Sequence, residues 1–359
     1  MPPPTTTSSQ LEDITEGSGA APGRVGGPLS ILAAAVVLAV TIMVAVSLGR
    51  YTVPPSHVLQ ILASGLLPEG GVSGTERTVV ELVRLPRVLL AVLVGGGLGV
   101  AGAALQATFR NPLVSPDIIG VSSGASFGGA IALLFGLGTV FLVGGAFVFG
   151  LLALVLLFAL TAGRASSMLM VVLGGVVLGS FFAALVGLAQ YFADPYSSLP
   201  AIVFWLLGSL ATATWAKVAV AVVPILLGTA VVLLLRWRLN VLSLGDDEAS
   251  SLGIRPSRLR WVFLLACALI VAGAVAVSGA VGWVGLVIPH LARMWVGPDH
   301  RVLLPVSFLL GATYLIVIDT IARTLTAGEI PLGVLTALVG APVFFVLLRR
   351  NRDRIWDHA

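Results

Sequence analysis

The stretch IIGVSSGASFGGAIALLFGLGTVFLVGGAFVFGLLALVLLFALTAG, residues 118–163, contains no charged side chain. A lipid hydrocarbon core about 30 Å thick is crossed by about 20 helical residues, since each residue rises about 1.5 Å. The stretch is therefore long enough for two crossings, and the glycines of Gly136-Leu-Gly138 offer a break between them. This pattern predicts an all-α, polytopic membrane protein.

The composition of the whole chain agrees with this prediction. Of its 359 residues, 58% are hydrophobic and only 10% are charged, whereas about 25% of the residues of an ordinary soluble domain are charged. Lys217 is the only lysine and follows no glycine-rich phosphate loop, so the sequence lacks the P-loop of an ATPase. Cys267 is the only cysteine and the four histidines are dispersed. We therefore expect no catalytic residue, cofactor site or metal site in this chain.

Two short glycine motifs match known binding or catalytic loops but lie inside predicted membrane-spanning segments. Residues 97–102 have the glycine spacing of a dinucleotide-binding loop, and residues 120–124 have that of a hydrolase nucleophile turn. Both chemistries need a strand before the motif and a helix after it. These glycines lie instead in apolar runs of membrane length, where close helix packing explains them better.

Ten charge-poor segments are predicted to cross the membrane. They are Leu29–Leu48, Val88–Phe109, two within Ile118–Gly163, Ser166–Phe192, Val218–Leu235, two within Trp261–Ala292 with a break near Gly279–Gly285, Val302–Ile318 and Ile330–Leu348. With the N-terminus inside, fourteen of the 20 basic residues fall on inner loops. Because cytoplasmic loops are enriched in basic residues, this asymmetry predicts that both termini are cytoplasmic.

The chain divides into three regions. Residues 1–27, rich in Pro, Thr, Ser and Gly, are predicted to form a disordered cytoplasmic tail. Residues 28–350 are predicted to form the transmembrane domain, including a cytoplasmic loop at 239–258. Residues 351–359 form a short cytoplasmic C-terminal tail.

Small residues and a weak repeat suggest how the helices are arranged. Gly120, Gly124 and Gly128 recur every four positions, a spacing that marks close helix packing in lipid. The segments Arg84-Leu-Pro-Arg-Val88 and Arg258-Leu-Arg-Trp-Val262 are each followed by Val-Ala-Gly-Ala. The first segment enters the membrane from outside and the second from inside, as in an inverted repeat.

Asp319 is the only acid well inside an apolar run, and Arg323 follows it by four positions. Side chains four positions apart lie on one face of a helix. The two are therefore predicted to form an intramembrane ion pair, which lowers the cost of burying both charges. In the alternative interpretation, Asp319 couples transport to an ion.

The loop between the sixth and seventh predicted spans carries the acidic triplet Asp246-Asp247-Glu248. Ser243 or Asp246 as an N-cap and Gly253 as a stop predict a short helix there. Its apolar side would dock a partner outside the membrane and would consist of Leu242, Leu244, Ala249 and Leu252. An ordinary solvated loop is the alternative.

Several longer strings occur together in one order. They are Arg84-Leu-Pro-Arg-Val88, Phe109-Arg-Asn-Pro-Leu113, Pro116-Asp-Ile-Ile-Gly-Val-Ser-Ser-Gly124, Phe204-Trp-Leu-Leu-Gly-Ser209, Gly282-Trp-Val-Gly-Leu-Val-Ile-Pro-His-Leu-Ala-Arg293, Gly297-Pro-Asp-His-Arg301, Asp319-Thr-Ile-Ala-Arg323 and Ile330-Pro-Leu-Gly-Val-Leu-Thr-Ala-Leu-Val-Gly-Ala-Pro342. In these strings the chain resembles FecCD-type permeases, the membrane subunits of ABC importers for ferric siderophores, haem and cobalamin.

The resemblance implies the ten-helix, inverted-repeat fold of a type II ABC importer permease in the bacterial inner membrane. It implies a homodimer around one translocation path and an extracytoplasmic binding protein that delivers an iron complex. Two cytoplasmic ATPase subunits would bind the ATP and magnesium. A ferric siderophore is the expected substrate, with haem and cobalamin as alternatives, and no nucleic acid is expected as a partner.

The resemblance also implies roles for individual residues. Arg84, Arg87 and Arg323 would meet acidic residues of the binding protein at the outer face, and residues 199–211 would form an outer gate helix. The ATPase-coupling residues would be Leu242, Gly245, Asp246, Asp247, Glu248, Ala249, Leu252 and Gly253. The rival from another class is an ion-coupled secondary transporter that uses Asp319 as its coupling acid.

Overall fold

The computed structural model describes residues 27–64, 71–161, 168–326 and 328–350. The predicted N-terminal tail, apart from Gly27, and the predicted C-terminal tail at 351–359 lie outside the described residues. Within the four ranges the chain is helical and contains no β-strand.

The helices are numbered here in chain order. They are α1 (Gly27–Ser47), α2 (Pro55–Leu62), α3 (Gly74–Thr108), α4 (Val121–Leu134), α5 (Gly138–Thr161), α6 (Met168–Phe192), α7 (Ser198–Leu206), α8 (Trp215–Leu234), α9 (Arg236–Leu242), α10 (Asp246–Ser251), α11 (Pro256–Ser278), α12 (Val284–Val296), α13 (His300–Thr324) and α14 (Leu332–Arg350). α3 widens to a π-helical turn at Val79–Arg84.

Each of the ten segments predicted to span the membrane contains a helix. Seven helices are long and apolar enough to cross a membrane: α1, α3, α5, α6, α8, α11 and α13. Three more are apolar but shorter, at Val121–Leu134, Val284–Val296 and Leu332–Leu347. The chain is therefore a multi-pass membrane protein, whereas the count of ten crossings and the cytoplasmic side of the termini stay predictions.

Both predicted breaks inside long apolar runs are confirmed. Gly136 and Gly138 separate α4 from α5 with φ of 64° and 50°, values that suit glycine because it has no side chain. The second break, between α11 and α12, contains Trp283 with φ of 70°. The Trp283 ring packs edge-on against Phe344 of α14, with 6.5 Å between the ring centroids, so neighbouring packing holds this costly backbone conformation.

Two helices form the centre of the bundle. α3 and α11 are the most deeply buried of the long helices, and the more exposed α1 and α6 lie towards the outside. Cys267 of α11 is fully buried and lies 3.7 Å from the carbonyl oxygen of Ala101 on α3. The two segments of the weak internal repeat therefore belong to neighbouring central helices.

The polar contacts define two ends of the bundle. At one end, here named the Arg87 end, Arg87 of α3 contacts Asp319 near the end of α13. At the other, here named the Asp246 end, Asp246 contacts Arg260 at the start of α11 and Arg110 just after α3. α3 therefore runs from the Arg87 end to the Asp246 end, and α11 begins where α3 finishes.

Glycine permits the closest helix approaches. A Cβ atom on Gly128 of α4 would lie 2.2 Å from the carbonyl oxygen of Gly145 on α5, and one on Gly124 would lie 2.6 Å from that of Phe149. Gly124 and Gly128 of the predicted series are thereby confirmed at an interface between α4 and α5, whereas Gly120 lies just before α4 and its Cβ position is 3.2 Å from the Gly175 carbonyl oxygen of α6. A second such interface joins α3 to α13, where a Cβ on Gly95 would lie 2.3 Å from the Gly311 carbonyl oxygen.

These distances predict that alanine destabilises the protein at Gly128 of α4 but not at Gly144 of α5. Gly128→Ala would force α4 and α5 apart, so we expect a loss of about 1–3 kcal/mol of stability, the usual cost of overpacking. Gly144→Ala is the matched control because no atom lies within 4 Å of its Cβ position. Thermal unfolding of the purified protein in detergent measures both, and an equal effect of the two changes would contradict the packing.

Candidate functional site

A cluster of charged side chains is buried at the Arg87 end. Arg87 is only 7% exposed. Its Nε lies 2.9 Å from Asp319 Oδ2, and its Nη2 lies 2.9 Å from Asp319 Oδ1. The same guanidinium donates to both oxygens of Glu329 at 2.8 and 2.9 Å. One arginine thus joins α3 to α13 and to the loop after it, in the two-pronged geometry that guanidinium and carboxylate groups favour.

Two further arginines of this end contact the last turn of α1 and the chain just after it. Arg84 donates to the carbonyl oxygens of Val46, Ser47 and Tyr51, at 3.0 Å for Ser47, and Arg323 donates to that of Ala45. The last carbonyls of a helix have no partner within the helix and carry partial negative charge. The two guanidinium groups satisfy them and attach α1 to α3 and α13.

The predicted intramembrane ion pair has a different first partner. Asp319 lies 3.9 Å from Arg323 Nε, but Arg87 makes the short, two-pronged contact. Spacing along one helix could reveal Arg323, whereas Arg87 lies far away in sequence and only the fold brings it to Asp319. Arg84 and Arg87 are buried on internal partners in this arrangement. Docking of a binding protein at Arg84, Arg87 and Arg323 stays a prediction.

Glu329 belongs to the same cluster and was missed at the sequence level. Its pKa lies below the ordinary value because it accepts hydrogen bonds from Arg87, and the charge of Arg87 adds to the effect. The cluster contains three arginines, Arg84, Arg87 and Arg323, and two carboxylates, Asp319 and Glu329. In the sequence, three arginines are predicted near one end of the helices but only one acid, Asp319. That imbalance of charge is the signal that could have pointed to a second acid.

At the Asp246 end, a short helix is attached to the centre of the bundle. Arg260 is 5% exposed, and both of its terminal nitrogens contact the Asp246 carboxylate, one of them at 3.0 Å. Arg110 lies 3.5 Å from the same carboxylate and has φ of 50°, which is uncommon outside glycine. Asp246 therefore links α10 to the start of α11 and to the turn after α3. Its pKa is lowered, first by the hydrogen bonds from Arg260.

The predicted coupling residues divide into an inner and an outer set. Leu242, Gly245 and Ala249 are buried, whereas Asp247, Glu248 and Gly253 are exposed. Leu244 and Leu252 are each 62% exposed. The four apolar residues therefore do not share one side as expected, because α10 covers only Asp246–Ser251 and turns flank it. Arg260 and Arg110, the partners of Asp246, were missed because tertiary folding alone brings them together.

A second connection attaches α9, which leads into α10, to α13. The Asn240 side chain donates to Asp299 Oδ1 at 2.7 Å, and its oxygen accepts the backbone N–H of His300 at 2.9 Å. The backbone N–H of Arg301, in the first turn of α13, donates to the same Asp299 oxygen at 3.0 Å, so Asp299 caps the start of α13. The pKa of Asp299 is lowered, chiefly by this backbone hydrogen bond. α13 therefore extends from this contact to Asp319 at the opposite end.

At the centre of the bundle, the described residues leave little space for a substrate. Within the described ranges, no group of three or more His, Cys, Asp or Glu side chains could hold a metal ion. The cavity where Pro116 and Asp117 meet Trp283 and Gly285 has a volume of only about 10 Å³. That space admits at most one water molecule.

The charge cluster at the Arg87 end predicts a clear effect on stability. Arg87→Gln would leave Asp319 buried without its main partner, which costs about 3–5 kcal/mol for a buried pair. Arg77→Gln is the control, because Arg77 lies at the same end and is 39% exposed on its side chain. Unfolding temperature in detergent is the measurement, and equal values for the two variants would show that the Arg87 contacts contribute nothing.

The Asp246 contacts predict a local effect that neighbouring acids lack. Asp246→Asn removes the ionic contacts to Arg260, so we expect amide hydrogen exchange across residues 246–251 to rise about tenfold, as for the loss of about 1.4 kcal/mol. Asp247→Asn changes the same functional group one position later, where the side chain is exposed, and is the control. Unchanged exchange in the first variant would rule out Asp246 as the anchor of α10.

The sequence and the fold of this chain resemble those of known transport proteins. The molybdate import system permease protein of Haemophilus influenzae is 45% identical over 89% of this chain and 95% of its own length. A probable iron chelatin transport system permease protein of Helicobacter pylori is 43% identical over 75% of this chain and 82% of its own. A solved structure titled as an inward-facing conformation of a metal-chelate type ABC transporter matches with a TM-score of 0.82 and 43% identity, over 90% of this chain and 99% of that one.

The FecCD transport family model matches residues 37–350, which include the Arg87 end, α10 and both broken apolar runs. Because that range covers most of the 359 residues, this chain belongs to the FecCD transport family and is a permease of ABC importers.

Proposed function

We propose that this permease imports its substrate with energy from separate ATPase subunits that dock on α10. The exposure pattern of residues 242–254 carries the proposal: Leu244 and Leu252 are exposed beside the exposed acids Asp247 and Glu248. Exposed leucines outside the long apolar helices fit a protein partner. The lack of a P-loop around Lys217 also requires that another subunit bind ATP.

Asp246 would transmit the movement of the ATPases into the bundle. A helix held by an ion pair to a buried arginine moves with the element that carries the arginine. Asp246 is paired to Arg260 of α11 and contacts the turn after α3. The Asn240 contact would carry the same movement to α13. Rigid movement of these helices is a known means of alternating access.

The Arg87 end would face the extracytoplasmic binding protein. The three predicted arginines carry one more charge than the two carboxylates of the cluster, Asp319 and Glu329, so the cluster attracts an acidic surface. In the described arrangement Arg84, Arg87 and Arg323 hold α1, α3 and α13 in register. Direct contact with the partner would then require exchange of these internal bonds, and Arg50, which is exposed beside them, is a further candidate.

A homodimer would supply the translocation path. The substrates expected from the resemblance are far larger than the cavity of about 10 Å³ at the Pro116 and Trp283 junction. A path between two copies needs no large cavity within one. Exposed apolar side chains along α6, such as Val177 and Phe181, are available for lipid or for a second copy.

A ferric siderophore is the proposed substrate, with haem and cobalamin as alternatives from the same family. The iron chelatin permease at 43% identity supports an iron complex. Molybdate is the second candidate, because a molybdate permease is 45% identical over 89% of this chain. Both candidates contain a metal, and the binding protein would select between them.

The rival mechanism, ion coupling through Asp319, is disfavoured by the surroundings of that carboxylate. A coupling acid must release and rebind its ion in each cycle. Asp319 is held by two nitrogens of Arg87 and lies 3.9 Å from Arg323, and its carboxylate is nearly inaccessible. Permanent ion pairing explains these contacts without a coupled ion.

Reconstitution tests the energy source. We expect uptake into proteoliposomes only when the permease, its ATPase, the binding protein and ATP are all present. An ATPase variant without its P-loop lysine is the control and should abolish uptake, since that lysine contacts the transferred phosphate. Uptake by the permease alone, driven by a proton or sodium gradient, would contradict the proposal.

The substrate is tested in the same vesicles with two labelled compounds. We expect saturable uptake of a ferric siderophore labelled with radioactive iron, and no competition from an excess of molybdate. Titration of the isolated binding protein with each compound is the independent measurement. Uptake of molybdate with no uptake of iron would replace the first candidate by the second while leaving the ATP-driven mechanism in place.

A further inference from the structure

We propose that the groove between α9 and the start of α11 binds the phosphate headgroup of an anionic phospholipid. The groove has a volume of about 350 Å³ and lies at the Asp246 end, where the chain leaves the apolar helices α8 and α11. Three arginines line it, together with one tryptophan: Arg238, Arg255, Arg258 and Trp237. No carboxylate lines it.

The arginines of the groove are available to a ligand. All three are exposed, and none forms an ion pair with any acid in the part of the chain that the structure describes. The contrast with Arg260, five positions after Arg255, is direct, because Arg260 is buried on Asp246. Several unneutralised guanidinium groups around one concave surface favour a phosphate, which accepts their hydrogen bonds in pairs.

The apolar part of the groove distinguishes a lipid from a free anion. Val262 lines the groove and is 40% exposed, and Leu265, one turn further along α11, is 51% exposed. Leu234, at the end of α8 and three positions before Trp237, is 78% exposed. A cationic pocket continued by exposed apolar side chains along two membrane helices matches a headgroup followed by acyl chains.

Trp237 fits the same depth in the membrane. Tryptophan is enriched where hydrocarbon meets headgroups, because its ring is apolar and its N–H is polar. The Arg238 guanidinium carbon lies 5.9 Å from the centroid of the Trp237 ring, a cation–π distance. This contact orients Arg238 beside the groove. Basic pockets between membrane helices on the cytoplasmic side are typical sites for anionic headgroups.

The position of the groove gives a bound lipid access to the coupling region. Leu252 and Gly253, at the end of the α10 segment, line the same groove. A lipid there would contact both the segment proposed to meet the ATPase and the first turn of α11. It would therefore restrain the residues that follow α10.

Native mass spectrometry of the intact permease tests the site. We expect one retained molecule of phosphatidylglycerol per chain, and much weaker retention of phosphatidylcholine, which has no net charge. The double variant Arg255→Gln and Arg258→Gln should bind phosphatidylglycerol about thirtyfold more weakly, since each basic residue near an anionic surface contributes roughly fivefold. Arg301→Gln, an exposed arginine of the same end that does not line the groove, is the matched control.

Three outcomes would overturn the proposal. Unchanged phosphatidylglycerol binding by the double variant would place the lipid elsewhere. Displacement of the lipid by inorganic phosphate at similar concentrations would indicate a site for the free anion, with no contribution from Val262 and Leu265. Loss of ATPase copurification in the double variant with unchanged lipid binding would make the groove a protein interface. None of these results depends on whether the chain transports iron.

Discussion

The constraint on which the structure depends is that a charge inside a membrane bundle must have a partner. Arg87 meets that requirement by binding Asp319 and Glu329 together, and Arg84 and Arg323 meet it on the last carbonyls of α1. These contacts cross from one helix to another or, for Glu329, from α3 to the loop after α13. Because an unpaired buried charge costs several kcal/mol, these contacts hold the Arg87 ends of α1, α3 and α13 in fixed register.

At the Asp246 end, pairing of a buried charge connects a short outer helix to the centre of the bundle. Asp246 lies on a short helix outside the long apolar helices, yet its main partner, Arg260, is buried at the start of α11. A displacement of α10 therefore acts directly on a central helix. The Asn240 contact gives α13 a similar connection, and α13 continues to Asp319. The two charged ends are thus joined by continuous helices, which is a physical basis for coupling between them.

Between the two ends, contacts of small residues replace polar contacts. Lipid provides little hydrophobic force to bring helices together, so close backbone approach and dispersion must do so. Gly128 against Gly145 and Gly95 against Gly311 are examples, with no space for even one methyl group. The permease fold therefore rests on paired charges near its ends and glycine contacts along its length. Surfaces with exposed charge, such as the α9 and α11 groove, remain available for ligands.

The sequence by itself determined the membrane class, the segments that form helices, both breaks in the long apolar runs and the family. Those properties depend on composition and local order, because apolar length and glycine positions act along the chain. Tertiary structure alone decided that Asp319 pairs first with Arg87, that Glu329 joins them and that Asp246 is held by Arg260. The partners in the first two contacts lie far apart in sequence. Local spacing revealed only Arg323, since a charge pairs with whichever group the folded helices bring nearest.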